Sequence, residues 1–179
     1  EQFGYSVSLY KDYALIGAIR DISTKGSTYV FKRHGSTWSE QTKLIASDGL
    51  DTAWFGWTTS LYEDYALIGA KGHDSDRGSA YIFKRTGSTW TQQHIFAASD
   101  GTNNDEFGFS VSLHGDYALI GAGGSDGQGV PGSTYIFKRN GSKWTQLQKL
   151  TASDGASDDY FGRASSLYKD TALIGAYGD

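Results

Sequence analysis

The 179-residue chain has no cysteine, no methionine and only one proline. Without cysteine the chain has neither disulfides nor thiolate metal sites, although this does not fix the cellular compartment. No apolar run approaches the roughly 20 residues of a membrane-spanning helix, so membrane insertion is not expected. The net charge of −4 argues against nucleic acid as a partner and against general affinity for anionic membranes.

Recognisable catalytic motifs are also missing. The sequence has no G-x-S-x-G elbow, no H-E-x-x-H pair and no phosphate-binding loop that leads into a helix. The recurrent serines have no basic residue at a fixed offset, and the histidines share no spacing. The sequence therefore predicts that the protein is not an enzyme. The four histidines are His34, His73, His94 and His114.

An internal repeat is the main feature that is present. The phrase "DYALIGA" occurs three times, and a close variant, "DTALIGA", lies near the end of the chain. Each copy follows a Phe-Gly pair, and successive pairs are separated by 52, 52 and 54 residues. The chain thus holds three full repeats and the start of a fourth. The four Phe-Gly pairs lie at 3–4, 55–56, 107–108 and 161–162.

The first repeat predicts four β-strands. "FGYSVSLY" alternates apolar and small residues, and "YALIGA" is a short apolar run of the kind that is buried on both faces. "STYVFKR" is rich in β-branched and aromatic residues, and "WSEQTKLIA" alternates large and polar residues as a wetter strand does. The links within each pair, such as "KD" and "HGST", are short and turn-like, which favours antiparallel hairpins.

Four antiparallel strands repeated in tandem are typical of β-propeller blades. We therefore predict an all-β protein: a β-propeller, or an open arc of one, forming one repeat domain over residues 1–179. Three and a third blades cannot close a ring, because propellers have about 4–8 blades. We accordingly expect the chain to be part of a longer polypeptide or to meet other copies at its open ends. The predicted blades are 3–54, 55–106, 107–160 and a partial blade at 161–179.

These motifs resemble the FG-GAP repeat, the blade unit of integrin α-subunit-like propellers, and are most similar to its short secreted and surface form. The resemblance covers essentially the whole chain. It implies an extracellular or cell-surface location, an adhesive or scaffold role and a closed ring of about seven blades. One departure is that the proline of the family's G-A-P is absent. Its place is taken by Ile19, Lys71, Gly123 and Tyr177.

A second departure concerns calcium. Integrin-type blades carry a D-x-D-x-D-G loop between strands one and two, but here that link has a single carboxylate, which cannot supply the 6–8 oxygens that calcium prefers. We predict that these aspartates are turn residues that bond their own backbone. They are Asp12, Asp64, Asp116 and Asp170.

The strand order places the one–two and three–four links on one face of the predicted propeller. The two–three and four–one links, where the repeats differ most, lie on the other, which we call the variable face. Its aspartates predict either weak cation sites between blades or ordinary solvated turns. No cofactor is required, and weak calcium binding is the one option. The cation candidates are Asp48, Asp51, Asp74, Asp76, Asp100, Asp105, Asp154 and Asp158.

Two aromatic residues of the variable face, Trp54 and Tyr160, are ligand-binding candidates because exposed rings stack on sugars. The alternative is that they cover the junctions between blades. Asn140 opens an Asn-Gly-Ser sequence, which we interpret first as a hairpin turn. It would be a glycosylation site only in a secreted eukaryotic glycoprotein.

The leading functional hypothesis is a non-enzymatic extracellular scaffold or adhesion module, as part of a surface filament or larger assembly. Its expected partners are other copies or further repeats of the same chain, and an extracellular protein or glycan. The rival hypothesis is a glycan-binding lectin that uses the variable face. The sequence leaves both open, because one fold hosts many unrelated activities.

Overall fold

The computed structural model describes residues 2–21 and 24–178, which form three four-stranded antiparallel sheets and one two-stranded sheet. The first sheet contains β1 (Phe3–Tyr10), β2 (Tyr13–Ala18), β3 (Ser27–His34) and β4 (Thr37–Leu44). The second contains β5 (Thr58–Tyr62), β6 (Tyr65–Ala70), β7 (Ser79–Thr86) and β8 (Thr89–Phe96). The third contains β9 (Phe107–His114), β10 (Tyr117–Ala122), β11 (Ser133–Asn140) and β12 (Lys143–Leu150), and the last contains β13 (Ala164–Tyr168) and β14 (Thr171–Gly175).

Each four-stranded sheet is a meander whose spatial order follows the chain, from the first strand to the fourth. The first strands β1, β5, β9 and β13 pack on one another in succession, so they line the inside of the assembly and the fourth strands form its outer edge. This arrangement is an open arc of a β-propeller, as the repeat predicted. The one helical segment in the described part, α1 (His73–Asp76), is a single turn with left-handed backbone at Asp74 and Ser75.

The Phe-Gly pair forms a tight turn at the entrance to each blade. The amide of Trp57 donates a hydrogen bond to the carbonyl of Trp54 at 3.0 Å, and Gly56 between them has φ of 93°. A positive φ at the third position defines a type II turn, which glycine adopts without steric cost. The turn interrupts the strand alternation that the sequence predicts: between Phe3 and Val7, β1 has two more residues than its partner β2.

Each such turn lies against the backbone of the preceding blade. Phe55 forms a parallel bridge with Gly26, and its amide donates to the carbonyl of Lys25 at 2.9 Å. A Cβ on Gly17 would overlap the carbonyl oxygen of Gly56, and a Cβ on Gly26 would overlap the backbone of Phe55. Two glycines in each blade are therefore required because the next blade contacts them backbone to backbone. The same contacts recur at the two following junctions.

The apolar phrase is buried on both faces because the core is divided between the junctions. In β6, Ile68 packs into the cluster shared with the first blade, where Phe55 and Leu15 lie. Leu67, the next residue back, packs into the cluster shared with the third blade, around Phe107. A strand between two neighbouring blades, such as β6, thus supplies side chains to two cores. This explains why "YALIGA" is apolar at successive positions rather than at alternate ones.

The aspartate of "DYALIGA" pairs with the arginine of "FKR" in its own blade. Arg33 donates to Asp12 through Nε at 2.9 Å and through Nη2 at 2.7 Å, and the backbone amide of Arg33 also donates to the Asp12 carbonyl. Asp64 pairs with Arg85, and Asp116 with Arg139, through Nη2 and the backbone amide, whereas Nε of these two arginines has no hydrogen-bond partner. These aspartates lie in turns, as expected, but the expectation that their carboxylates bond their own backbone is wrong for Asp12, Asp64 and Asp116, because the guanidinium of the third strand lies beside each of them.

These arginines also connect neighbouring blades. The Arg85 guanidinium carbon lies 4.3 Å from the ring centre of Tyr13, and that of Arg139 lies 4.5 Å from the ring centre of Tyr65. In each case the tyrosine belongs to the preceding blade. One arginine thus forms an ion pair within its own blade and a cation–π contact with the preceding blade. At an exposed site such a cation–π contact is worth about 0.5–1 kcal/mol.

Gly69→Ala should destabilise the protein by about 2–3 kcal/mol, because the new Cβ would overlap the carbonyl oxygen of Gly108 at the junction. The matched control is Gly87→Ala in the hairpin between β7 and β8. A Cβ there has no atom within 4 Å, so only the positive φ of 64° opposes it, by about 1 kcal/mol. Urea unfolding followed by tryptophan fluorescence measures both. Equal losses for the two variants would contradict the close contact.

Candidate ligand-binding surface

Four non-repeating side chains form a continuous line along the inner strands, at the variable face. They follow the four Phe-Gly pairs, and we call them the axial row: Tyr5, Trp57, Phe109 and Arg163. The rings of Tyr5 and Trp57 are 4.7 Å apart, those of Trp57 and Phe109 are 5.5 Å apart, and the guanidinium of Arg163 lies 4.9 Å from the Phe109 ring. Each residue occupies an equivalent position, so the line results directly from the stacking of the blades.

The residue before each Phe-Gly pair has an unusual backbone. Gln2, Trp54, Glu106 and Tyr160 all adopt positive φ, between 52° and 60°. None of them is glycine, although glycine would remove a steric cost of about 1 kcal/mol at each position. The backbone therefore holds side chains there, beside the axial row, at a cost to stability.

The candidate aromatics Trp54 and Tyr160 both belong to this set, and both are half-buried at blade junctions. Trp54 stacks on Trp57 at 5.8 Å, and Tyr160 stacks on Tyr177 at 5.1 Å. Each ring thus contacts an aromatic residue across a blade boundary, and ligand binding by either ring stays a prediction. Tyr177 remains 69% exposed, so the second stack still offers a ring to solvent.

Two buried cations lie between these rings. The Lys71 amine is 4.3 Å from the Trp57 ring centre and forms an ion pair with Glu106. The Arg163 guanidinium is 3.8 Å from the Tyr160 ring centre and forms an ion pair with Asp126 at 2.6 Å. The variable face thus combines aromatic rings with charges that are shielded from water, an environment in which electrostatic interactions are stronger than at a free surface.

Asp48 and Asp100 have structural partners. Each lies in the "ASDG" link of one blade and accepts a hydrogen bond from the third-strand tyrosine of the next blade. The Tyr81 hydroxyl donates to Asp48 at 2.9 Å, and the Tyr135 hydroxyl donates to Asp100 at 2.8 Å. Burial, with Asp100 beside it, raises the pKa of Tyr135 to about 12, so the hydroxyl keeps its proton. These two aspartates are clamps between blades.

The other cation candidates lie apart from one another. Asp51 pairs with Lys25 at 3.7 Å, Asp74 pairs with Arg77 at 3.6 Å, and Asp105 accepts from the amide and hydroxyl of Thr102. The Asp76 carbonyl accepts from the Glu106 amide, Asp154 is exposed, and Asp158 has one buried oxygen without a hydrogen-bond partner. Within residues 2–21 and 24–178, no three His, Asp or Glu side chains converge in a way that would hold a metal ion. Weak calcium binding remains a prediction.

Asn140 ends β11 and faces Lys143 across a two-residue turn, in which Gly141 has φ of 64°. It is exposed, but Gly141 and Ser142 hold the two central positions of the turn, so the Asn-Gly pair lies one residue earlier than the hairpin signal predicts. His34 and Thr86 occupy the same place in the other blades.

One arrangement superficially resembles a catalytic triad. The Ser79 hydroxyl lies 3.1 Å from Nδ1 of His73, whose Nε2 lies 3.2 Å from Asp48. Ser79, however, is only 4% exposed at the start of β7. The equivalent Ser27 donates to Asp21 at 2.7 Å in the first blade. A recurring buried serine with a varying partner is best explained by structure, since a nucleophile must reach its substrate.

Comparison with known proteins agrees with this architecture. A sequence profile described as the FG-GAP repeat matches residues 1–31, 38–83, 90–137 and 144–179. The chain belongs to the FG-GAP repeat family. Each of the four matched segments contains one Phe-Gly turn, so the family signature includes the residues that form the junction contacts.

Among solved structures, the chain is similar to the crystal structure of Saccharomyces cerevisiae Sqt1, with a TM-score of 0.58 and 8% sequence identity. The match covers 88% of this chain and 38% of the Sqt1 chain. At this identity the likeness concerns the fold alone. No curated protein matches the sequence. In the described part of the chain, no helix is long and apolar enough to cross a membrane.

Sequence reasoning missed Lys71, Glu106, Phe109 and Arg163 as members of this surface. Their positions offered a signal. Each residue lies next to a repeated motif, and the residue type at that position differs from one repeat to the next. This signal could not be used without the blade geometry, since Lys71 and Arg163 both contact Phe109, which lies in a different repeat from either of them.

Asp100→Asn should lower the free energy of unfolding by about 1 kcal/mol at pH 7, since it removes an exposed charge-assisted contact. Hydrogen bonds from Lys149 and Tyr135 hold the pKa of Asp100 below its usual value. Its stabilising effect is therefore fully present above the unfolded value of about 3.9 and is lost as the pH falls through the lowered folded value. Unfolding curves for wild type and variant should converge in acid.

The control for this clamp is Asp154→Asn. Asp154 is the equivalent residue of the third repeat, and it is exposed. Its replacement should change stability by less than about 0.5 kcal/mol at any pH. If Asp154→Asn lowered the free energy of unfolding as much as Asp100→Asn does, the clamp would not be the cause of the effect at Asp100.

Proposed function

We propose that the chain is a non-enzymatic binding module that serves as an extracellular or cell-surface scaffold in adhesion, and that it binds its ligand through the variable face. The observation that supports this is the separation of roles between positions. The repeated residues form the junctions, the cores and the clamps, whereas the residues that differ between repeats gather in the axial row and around it. A constant framework with one variable surface is typical of binding proteins whose loops determine specificity.

The proposal that the chain is not an enzyme rests on the structural partners of its polar residues. The Asp–Arg pairs, the Asp–Tyr clamps and the buried Ser79–His73 contact are each accounted for by packing. Within residues 2–21 and 24–178, no nucleophile lies exposed beside a base and a third orienting group. A binding role requires neither a nucleophile nor a base.

Other blades are also proposed as partners. In the first blade, Phe3, Val7 and Leu9 are 51%, 70% and 64% exposed, whereas the equivalent Phe107, Val111 and Leu113 of the third blade are buried. A further blade, from the same polypeptide or from another copy, would cover this face in the same way that the second blade is covered. Such stacking supports a role in a filament or larger assembly.

Glycan binding is the second candidate, and the exposed Tyr160–Tyr177 stack favours it. A pyranose ring could pack on the free face of Tyr177, as sugars do on aromatic side chains. The ring of Trp54 is less available, because Trp57 and Lys71 already contact it.

The proposal predicts that Tyr5→Ser combined with Tyr177→Ser will reduce binding to immobilised extracellular-matrix and cell-surface proteins by at least about tenfold. These residues are 45% and 69% exposed on the variable face, so the change should remove ligand contacts while stability is largely preserved. Surface plasmon resonance on a panel of such proteins provides the measurement, and a glycan array tested in parallel separates the two candidates.

The matched control is Tyr168→Ser, which removes an equally exposed tyrosine from the opposite face. It should leave binding unchanged. Binding that is lost equally in both variants would contradict the location of the site. Binding confined to glycans would favour the lectin.

A further inference from the structure

An unusual set of buried charges extends from the second blade to the fourth. The side chains of Lys71, Glu106 and Arg163 are 10%, 7% and 8% exposed. Lys71 pairs with one oxygen of Glu106, and Nη2 of Arg163 lies 3.9 Å from the other oxygen. Two cations thus share one buried anion, which leaves one positive charge to be neutralised. An unneutralised charge in such a place would be costly.

Asp126 supplies the missing negative charge from outside. Its carboxylate lies 2.6 Å from Nη2 of Arg163, yet its side chain is 81% exposed. It belongs to the link from Gly123 to Gly132, the longest of the two–three links, which contains five glycines. A solvated residue on a glycine-rich segment therefore supplies one of the contacts of the buried Arg163 guanidinium. The Asp126 carboxylate stays largely hydrated in this contact, so its exchange for another carboxylate is less costly than the loss of a fully buried partner.

Two further atoms at the site are unsatisfied. Nε of Arg163 and Oε2 of Glu106 are both buried and have no hydrogen-bond partner. The remaining nitrogens of Arg163 are engaged: Nη1 donates to the Tyr177 hydroxyl at 2.6 Å, and Nη2 donates to the Gly124 carbonyl. Buried polar atoms without partners are uncommon in folded proteins and mark places where a ligand group or a water completes the network.

We propose that Arg163 anchors a carboxylate of the protein ligand and that Asp126 occupies this site when the ligand is absent. The inference rests on the binding role proposed above and names the chemistry of the partner: an exposed aspartyl side chain in a small-residue segment. The chain itself shows that such a segment fits, because the occupant is the aspartate of Ser125-Asp126-Gly127. A guanidinium held between the rings of Tyr160 and Phe109 is well suited to this role, since its planar fork matches a carboxylate.

The exchange makes Asp126 an intramolecular competitor. A ligand can bind only the fraction of molecules in which Arg163 is free, and its apparent affinity falls by that fraction. Removing the Asp126 carboxylate should therefore raise affinity for a carboxylate ligand without adding any contact. Because the interaction is electrostatic and partly exposed, added salt should weaken it.

The test uses the whole 179-residue chain and a capped Gly-Ser-Asp-Gly tetrapeptide as the probe. Titration is followed by NMR through the Nε–H resonance of Arg163, which reports on the anchor directly. Asp126→Ala should bind the peptide about tenfold more tightly than wild type, as expected if the site is about nine-tenths occupied by Asp126. The Asn analogue of the peptide should not bind.

Two variants serve as controls. Asp154→Ala makes the same change in net charge on another exposed link of the variable face, and it should bind as wild type does. Adding Arg163→Gln to Asp126→Ala should abolish binding, which is followed here through backbone amide resonances because the Arg163 Nε–H is absent. Thermal unfolding verifies that each variant is folded, and if the Arg163→Gln pair does not fold, Arg163→Lys replaces it and should weaken binding through loss of the planar fork.

Several outcomes would overturn the proposal. Equal affinity of wild type and Asp126→Ala would show that Asp126 does not compete, and binding retained without Arg163 would show that the anchor lies elsewhere. Binding of glucuronate but not of the aspartyl peptide would assign the site to an acidic sugar. A negative titration combined with ligand binding that still depends on Tyr5 and Tyr177 would refute this inference alone, whereas loss of that dependence would refute the proposed function.

Discussion

Backbone-to-backbone contact between successive blades is the constraint on which the rest of the structure depends. The turn at Phe55-Gly56 lies directly on Gly17 and Gly26 of the blade before it, at distances that leave no room for a Cβ. Side chains can adapt to small changes in packing, but two backbones in contact fix the distance and angle between sheets. Each blade therefore takes its position from the previous one, and the aromatic cores fill the space that this contact defines.

The same contact determines where the protein can vary. Because the Phe-Gly turn is fixed, the residues immediately before and after it are held at known positions beside the inner strands. Trp54 and Glu106 accept a left-handed backbone there, and their neighbours Trp57 and Phe109 join the axial row. The side chains at these positions differ from repeat to repeat, whereas the turn between them recurs. The fold thus displays variable residues on its most rigid element, which favours a precise binding surface.

The fold could be predicted from the sequence because its determinants are local and repeated. The "YALIGA" run, the short hairpin links and the Phe-Gly pair each occur in every repeat, so the same inference could be checked several times along the chain. The partners of charged residues were harder to predict. Asp64 and Arg85 recur together in the first three repeats, at separations of 21, 21 and 23 residues, and could have been paired from this recurrence, but Lys71 and Arg163 occur once each. Arg163 reaches Glu106 from a different repeat, and only the three-dimensional structure shows that Lys71 and Arg163 lie beside the same carboxylate.

The clamp between Asp48 and Tyr81 has a consequence for how such a protein can evolve. The aspartate and the tyrosine that it serves lie 33 residues apart, in different repeats. A duplication by unequal recombination therefore preserves the clamp wherever its breakpoints fall, provided that the duplicated length equals the period of the repeat. Selection acts on the length of the inserted segment rather than on its starting point. A gene of this type can therefore gain or lose a whole blade with the clamp residues still in register.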